Sequence, residues 1–119
     1  MARRYNLLIE QGATFQHTIN WSDPDGDPIN LTGYRIRFQI RQSPASATKL
    51  LDFDSNALGS GMHIGDLDAT GVISITLDPS VTSALAFTAA EYDITATSGG
   101  GAVYRLHEGK AALLLGVTR

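Results

Sequence analysis

The stretch "GYRIRFQIRQ", residues 33 to 42, decides the fold class. Tyr34, Ile36, Phe38 and Ile40 alternate with Arg35, Arg37, Gln39 and Arg41. A period of two with one apolar face is the pattern of a half-buried β-strand, because successive side chains leave a strand on opposite sides. The apolar set faces a core, and the three arginines form a stripe on the other face. That stripe is either a solvated sheet surface or a docking face, since arginine is enriched at protein interfaces.

Upstream, "WSDPDGDPINLTGY" (21–34) sets Asp23, Asp25 and Asp27 in alternation. A calcium loop of the EF-hand kind needs such carboxylates, then a glycine and a distal glutamate between two helices. Pro28 and Tyr34 stand at those two positions, and no helix pattern flanks the run. Proline, aspartate and glycine each favour a turn for their own reasons, so the segment reads as a turn between strands. A looser surface calcium site is the competing reading.

Further out the same grammar repeats. Tyr5 to Glu10 reads as a strand broken by Gly12. In 13–21, Ala13, Phe15, His17, Ile19 and Trp21 share an apolar face, which makes His17 a core or core-edge histidine with one hydrogen-bond partner. "KLLDFDS" (49–55) puts Leu51 and Phe53 on one face. "GVISITLDP" (71–79) turns Ile73, Ile75 and Leu77 inward. "SVTSALAF" (80–87) suits one or two helical turns capped by Asp78. "EYDITATS" and "AVYRLHEG" flank Gly99, Gly100 and Gly101, which predicts a hairpin. "KAALLLGVTR" (110–119) closes the chain as a strand, central or covered on both faces. Residues 56–71, with four glycines, read as a long loop or irregular hairpin.

Eight or nine short strands at 8–12-residue spacing, with no long helix, predict an all-β sandwich or small barrel. "TAAEYDI" (88–94) favours the immunoglobulin type. Ala90, Tyr92 and Ile94 stand as such domains place a small residue, a corner tyrosine and the second core cysteine. The expected architecture is a single immunoglobulin-like β-sandwich of about 7–9 antiparallel strands spanning 1–119.

Length and composition agree. The chain has 119 residues, a net charge of −3, twelve glycines, four prolines and no cysteine. One domain of this size buries roughly two thirds of its unfolded surface and needs neither disulfide nor metal to fold. Basic residues are scattered, which speaks against a nucleic-acid footprint. No apolar run reaches the roughly 18 residues of a membrane helix, and "MARRYNLLIEQG" lacks the apolar segment of a signal peptide. Synthesis in a cytoplasm is the expectation. On that expectation the tripeptides at Asn20 and Asn30 are chance matches to the glycosylation pattern.

The catalytic patterns fail in turn. Gly59-Ser60-Gly61 lacks a strand-turn-helix setting, and "HEGKA" (107–111) lacks the second histidine of a zinc helix. His17, His63 and His107 lie on three separate segments and are not expected to converge. No catalytic residue, cofactor or metal ligand is assigned.

In order along the chain, "YNLLIEQGATFQHTINW" (5–21), "DGDPINLTGYRIRFQIR" (25–41), "GVISITLDPSVTSAL" (71–85), "EYDITAT" (91–97) and "RLHEGKAALLLGVTR" (105–119) resemble the immunoglobulin-like domain at the N-terminus of tailed-bacteriophage baseplate upper proteins. The opening hairpin, the "hydrophobic-Thr-Gly" turn before a long strand, and the closing glycine-lysine-apolar strand carry the likeness. In that family more chain follows the domain, whereas here the chain stops at Arg119. The resemblance implies a non-enzymatic virion protein: a baseplate- or tail-fibre-associated adaptor, without cofactor, nucleic acid or membrane. Its partners would be other phage structural proteins, in homo- or hetero-oligomers. The contacts it suggests are Arg3, Arg4, Arg35, Arg37, Arg41 and Arg119, with the 56–65 loop. A capsid decoration protein and a carbohydrate-binding module for host-surface adhesion are the alternatives. The second would want clustered exposed rings, whereas Tyr5, Tyr34, Tyr92, Tyr104 and Trp21 fall mostly on inward positions. A small hydrolase would need a metal cluster or carboxylate pair that the sequence does not offer.

Overall fold

The computed structural model describes residues 3–116, with Arg3 described by its backbone alone. Nine strands and one short helix follow in order: β1 (Arg3–Arg4), β2 (Leu7–Glu10), β3 (Phe15–Asn20), β4 (Arg35–Arg41), β5 (Lys49–Asp54), β6 (Met62–Ile64), β7 (Val72–Leu77), α1 (Pro79–Ser83), β8 (Ala89–Thr97) and β9 (Val103–Leu114). They form two sheets. The larger runs β1-β9-β8-β4-β5, with β2 also on β9. The smaller runs β3-β7-β6. The fold is all-β.

The alternating segments fold as the period requires. In β4, Ile36, Phe38 and Ile40 are fully buried while the arginines and Gln39 lie half-buried on the other face. In β7, Ile73, Ile75 and Leu77 are inward. In β8, Ala90, Tyr92, Ile94 and Ala96 are. Both sheets feed one core, where the Phe15 and Phe38 rings meet at 6.4 Å across the layers. The hairpin over Gly99–Gly101 joins β8 to β9, and Gly101 takes the positive φ its turn needs. The 56–71 segment is loop around one short strand, β6, which pairs with β7 just beyond it.

Three expectations change, and one feature was not anticipated. Not every pairing is antiparallel, because β1 and β2 run parallel to β9. The segments read as two closing strands are one continuous strand, β9. It is paired along both edges but open on its outer face, where Leu114 is exposed beside Leu8. Asp78 begins α1 without a side-chain cap. Its backbone carbonyl accepts from Val81 and Thr82, and its carboxylate turns to His63 Nε2 at 3.0 Å. Thr82, buried, ties the helix down by donating to Ala13 O at 2.9 Å. Finally, β9 carries a bulge. Ile94 pairs with His107 but Thr95 pairs with Arg105, so Leu106 is the extra residue. The bulge moves His107 off the face that Arg105 occupies and into the space between the sheets.

Candidate functional site

Two regions gather polar chemistry. The first is the outer face of the larger sheet. Strand alternation brings Arg35, Arg37 and Arg41 to one side of β4, and pairing with β5 and β8 sets acidic strands against them. Arg35 grips Asp54 by two bonds, Nε to Oδ1 at 2.9 Å and a shorter one from Nη2 to Oδ2. The guanidinium pulls the Asp54 carboxyl down to about 2, helped by the Asn56 amide. Arg41 donates to Ser46 O at 2.6 Å and to Gln39 Oε1 at 3.2 Å. Arg37 Nε is buried without a partner among the described residues.

The acidic rows are themselves paired. Arg105 meets Asp93 at 3.4 Å and Glu108 at 3.8 Å, Lys110 meets Glu91 at 2.7 Å, and Arg4 meets Glu108 at 3.5 Å. A shallow hollow of about 410 Å³ lies among Arg4, Gln39, Arg41, Asp93, Arg105 and Glu108. The face is therefore a mixed-charge lattice and not a basic stripe. Sequence alternation located the arginines, but strand neighbours alone supply their carboxylates. Of the other residues expected to make contacts, Arg3 enters as a backbone position opposite His107, and Arg119 lies outside the described residues.

The second region is a cleft of about 680 Å³ between β3 and the bulged part of β9. His17 Nε2 and His107 Nδ1 stand 3.0 Å apart inside it. The Tyr5 ring lies 5.5 Å from His17 and 5.7 Å from His107. Burial, and next the neighbouring imidazole, lower His17 to about 4. Two of the three histidines thus converge, against expectation, and the β9 bulge is the reason. No local signal in "YRLHEGK" marks a bulge. His63 remains apart, with Asp78.

The rings also depart from expectation. Of Tyr5, Tyr34, Tyr92, Tyr104 and Trp21, only Tyr92 is buried; Tyr5 is 49% and Tyr104 44% exposed. Trp21 packs on Tyr34 at 5.7 Å and Tyr104 at 5.3 Å, at one end of the molecule. Beside them, Asp23 closes its turn by accepting the amides of Asp25 and Asp27, both at 2.9 Å. Among the described residues no three His, Asp or Glu side chains gather as a metal-holding group. No protein-family model matches the chain, and no curated protein matches it.

Proposed function

We propose that the chain is a non-enzymatic structural protein of a tailed-phage virion, a baseplate- or tail-fibre-associated adaptor built on an immunoglobulin-like sandwich. The strand order supports the sandwich part of this reading. The β3-β7-β6 sheet corresponds to strands B-E-D of that architecture, and β9-β8-β4-β5 to G-F-C-C′. The first strands lie on the last one instead of on B. Phe38, on the strand that holds the core tryptophan of immunoglobulin domains, is fully buried against Tyr92. The tyrosine corner expected at Tyr92 is not formed, because its hydroxyl donates to the Tyr5 carbonyl in the N-terminal segment and not to the backbone a few residues upstream.

The surface supports an assembling role. Leu8 and Leu114 are 58% and 55% exposed on the outer face of the larger sheet, next to the mixed-charge lattice. Exposed apolar groups rimmed by charges suit a protein neighbour. Repetition in a symmetric particle makes a weak contact of this kind act many times.

Immunogold labelling of particles of the phage that encodes the chain tests the proposal. Label at the tail tip or baseplate is expected. Label over the head assigns a capsid decoration role, and unlabelled particles overturn the virion reading.

The grouping of Trp21 with Tyr34, met edge-on, and with the exposed Tyr104, met at a tilt, favours a second reading, a carbohydrate-binding module, because a sugar face packs on exposed aromatic rings. Saccharide titration monitored by Trp21 fluorescence tests it, with Tyr104→Ala expected to abolish any response.

A further inference from the structure

A sheet edge presents unpaired backbone donors and acceptors, and proteins usually blunt such edges with charge, proline, bulges or brevity. Three of the edges here are blunted. β5 carries Lys49, Asp52 and Asp54 and faces a register shift in β4. β6 has only three residues. The β1/β2 edge is interrupted at Tyr5 and Asn6 and carries Arg4 and Glu10. β3 has none of these devices. It is six residues long, "FQHTIN", regular in its pairing with β7, and holds no lysine, arginine, carboxylate or proline.

The ladder fixes which groups β3 leaves open among the described residues. Gly65 N donates to Ser74 O, so Ser74 spends its backbone on the β6 side of β7. Ile73, Ile75 and Leu77 therefore bond toward β3, pairing with Ile19, His17 and Phe15. Trp21 N donating to Gly71 O continues the same alternation. The backbones of Gln16, Thr18 and Asn20 consequently face away from β7, and their side chains are exposed. The open cleft runs along this edge, lined by Gln16, Thr18 and Asn20 on the β3 side.

We propose that β3 pairs antiparallel with β3 of a second copy of this chain, about a two-fold axis at Thr18, joining two three-stranded sheets into one of six strands. The sequence of the edge is self-complementary in that register. Thr18 meets its own copy, a favourable cross-strand pair, and Gln16 meets Asn20 of the other copy, amide against amide. The open backbone groups at 16, 18 and 20 bond to those at 20, 18 and 16. No like charges oppose, because the strand has none. A two-fold contact of this kind closes on itself and leaves no growing edge. The pairing rests on the edge's own chemistry, whatever larger assembly the chain joins.

Cysteine cross-linking of the full chain tests it on a background without cysteine. Opposed positions in such a pair lie about 5.5 Å apart between Cα atoms, within disulfide reach. Thr18→Cys should oxidise to a covalent dimer of twice 12.7 kDa. Gln16→Cys alone should not, because its own copy lies about four strand residues, roughly 13 Å, away. Gln16→Cys mixed with Asn20→Cys should cross-link. In sedimentation, Thr18→Pro, which removes an edge donor without touching the β7 ladder, should convert the dimer to a monomer with unchanged circular dichroism. A wild-type chain that sediments as a monomer throughout, or a 16/20 mixture that cross-links no better than Gln16→Cys alone, overturns the proposal.

Discussion

The hydroxyl of Tyr92, in the buried middle of β8, donates a hydrogen bond to the backbone carbonyl of Tyr5. Between them lies Gly109, the cross-strand partner of Tyr92. With no side chain at Gly109, the tyrosine reaches past β9 to the segment joining β1 and β2. The bond ties the first strands of the chain to its core. Tyr92→Phe keeps the ring and its packing on Phe38 but orphans the Tyr5 carbonyl. The expected cost is about 0.5–1.5 kcal/mol by chemical denaturation. Faster amide exchange should be confined to residues 5–10, and a uniform rise across the core would speak against this account.

The same phenol makes an alkaline prediction. Burial raises Tyr92 to about 12 from 10.0. The folded state thus holds its proton more tightly than the unfolded chain. The resulting stability is complete below pH 10 and is lost as pH rises toward 12. Tyr92→Phe should flatten that limb in a pH series of denaturation midpoints.

Gly109 is the more sensitive position. Its φ is +149°, and a Cβ there would stand 2.6 Å from the Tyr5 carbonyl oxygen, a backbone atom that cannot swing away. Gly109→Ala should cost about 1–3 kcal/mol and loosen β1 and β2 ahead of the rest. A fully stable alanine variant would show that the N-terminal segment is not held as described.

How much of this was legible in the sequence follows from what each feature depends on. β4, β7 and β8 were readable because alternation is local, and Ile36, Phe38, Ile73, Ile75 and Ile94 all point where the period of two sends them. The parallel pairing of Leu7–Glu10 with Ala111–Leu114 was not readable, since partners a hundred residues apart leave no local mark. The Leu106 bulge displaced the alternation of β9 by one residue and so hid the meeting of His17 with His107. The arginine stripe was legible as a face, but its character was not, because Asp54, Asp93 and Glu108 reach it only through strand pairing.

The histidine pair gives an acid prediction. His17 has a folded pKa of about 4 against 6.5 unfolded, so the unfolded chain binds more protons between those values. Stability is complete above pH 6.5 and falls as pH drops toward 4, by about 1–2 kcal/mol after solvent screening. His17→Gln, which can still bond His107, should remove most of this slope. An unchanged slope would assign the acid loss elsewhere.

A second acid step belongs to Asp54. Arg35 holds its pKa at about 2 against 3.8, so its contribution is present above pH 3.8 and disappears toward pH 2. Asp54→Asn should abolish this lower step while leaving the His17 step between 6.5 and 4 in place. Loss of both steps together would mean that the outer face and the cleft are coupled.

The proposal that this chain is a structural part of a tailed-phage particle is open to quantitative mass spectrometry of gradient-purified phage particles produced from the source of the sequence. Its peptides should appear at a fixed, small integer number of copies per particle, co-purifying with tail proteins after heads and tails are separated. Particles that are complete and infectious yet contain none of it would rule out a structural place in the virion.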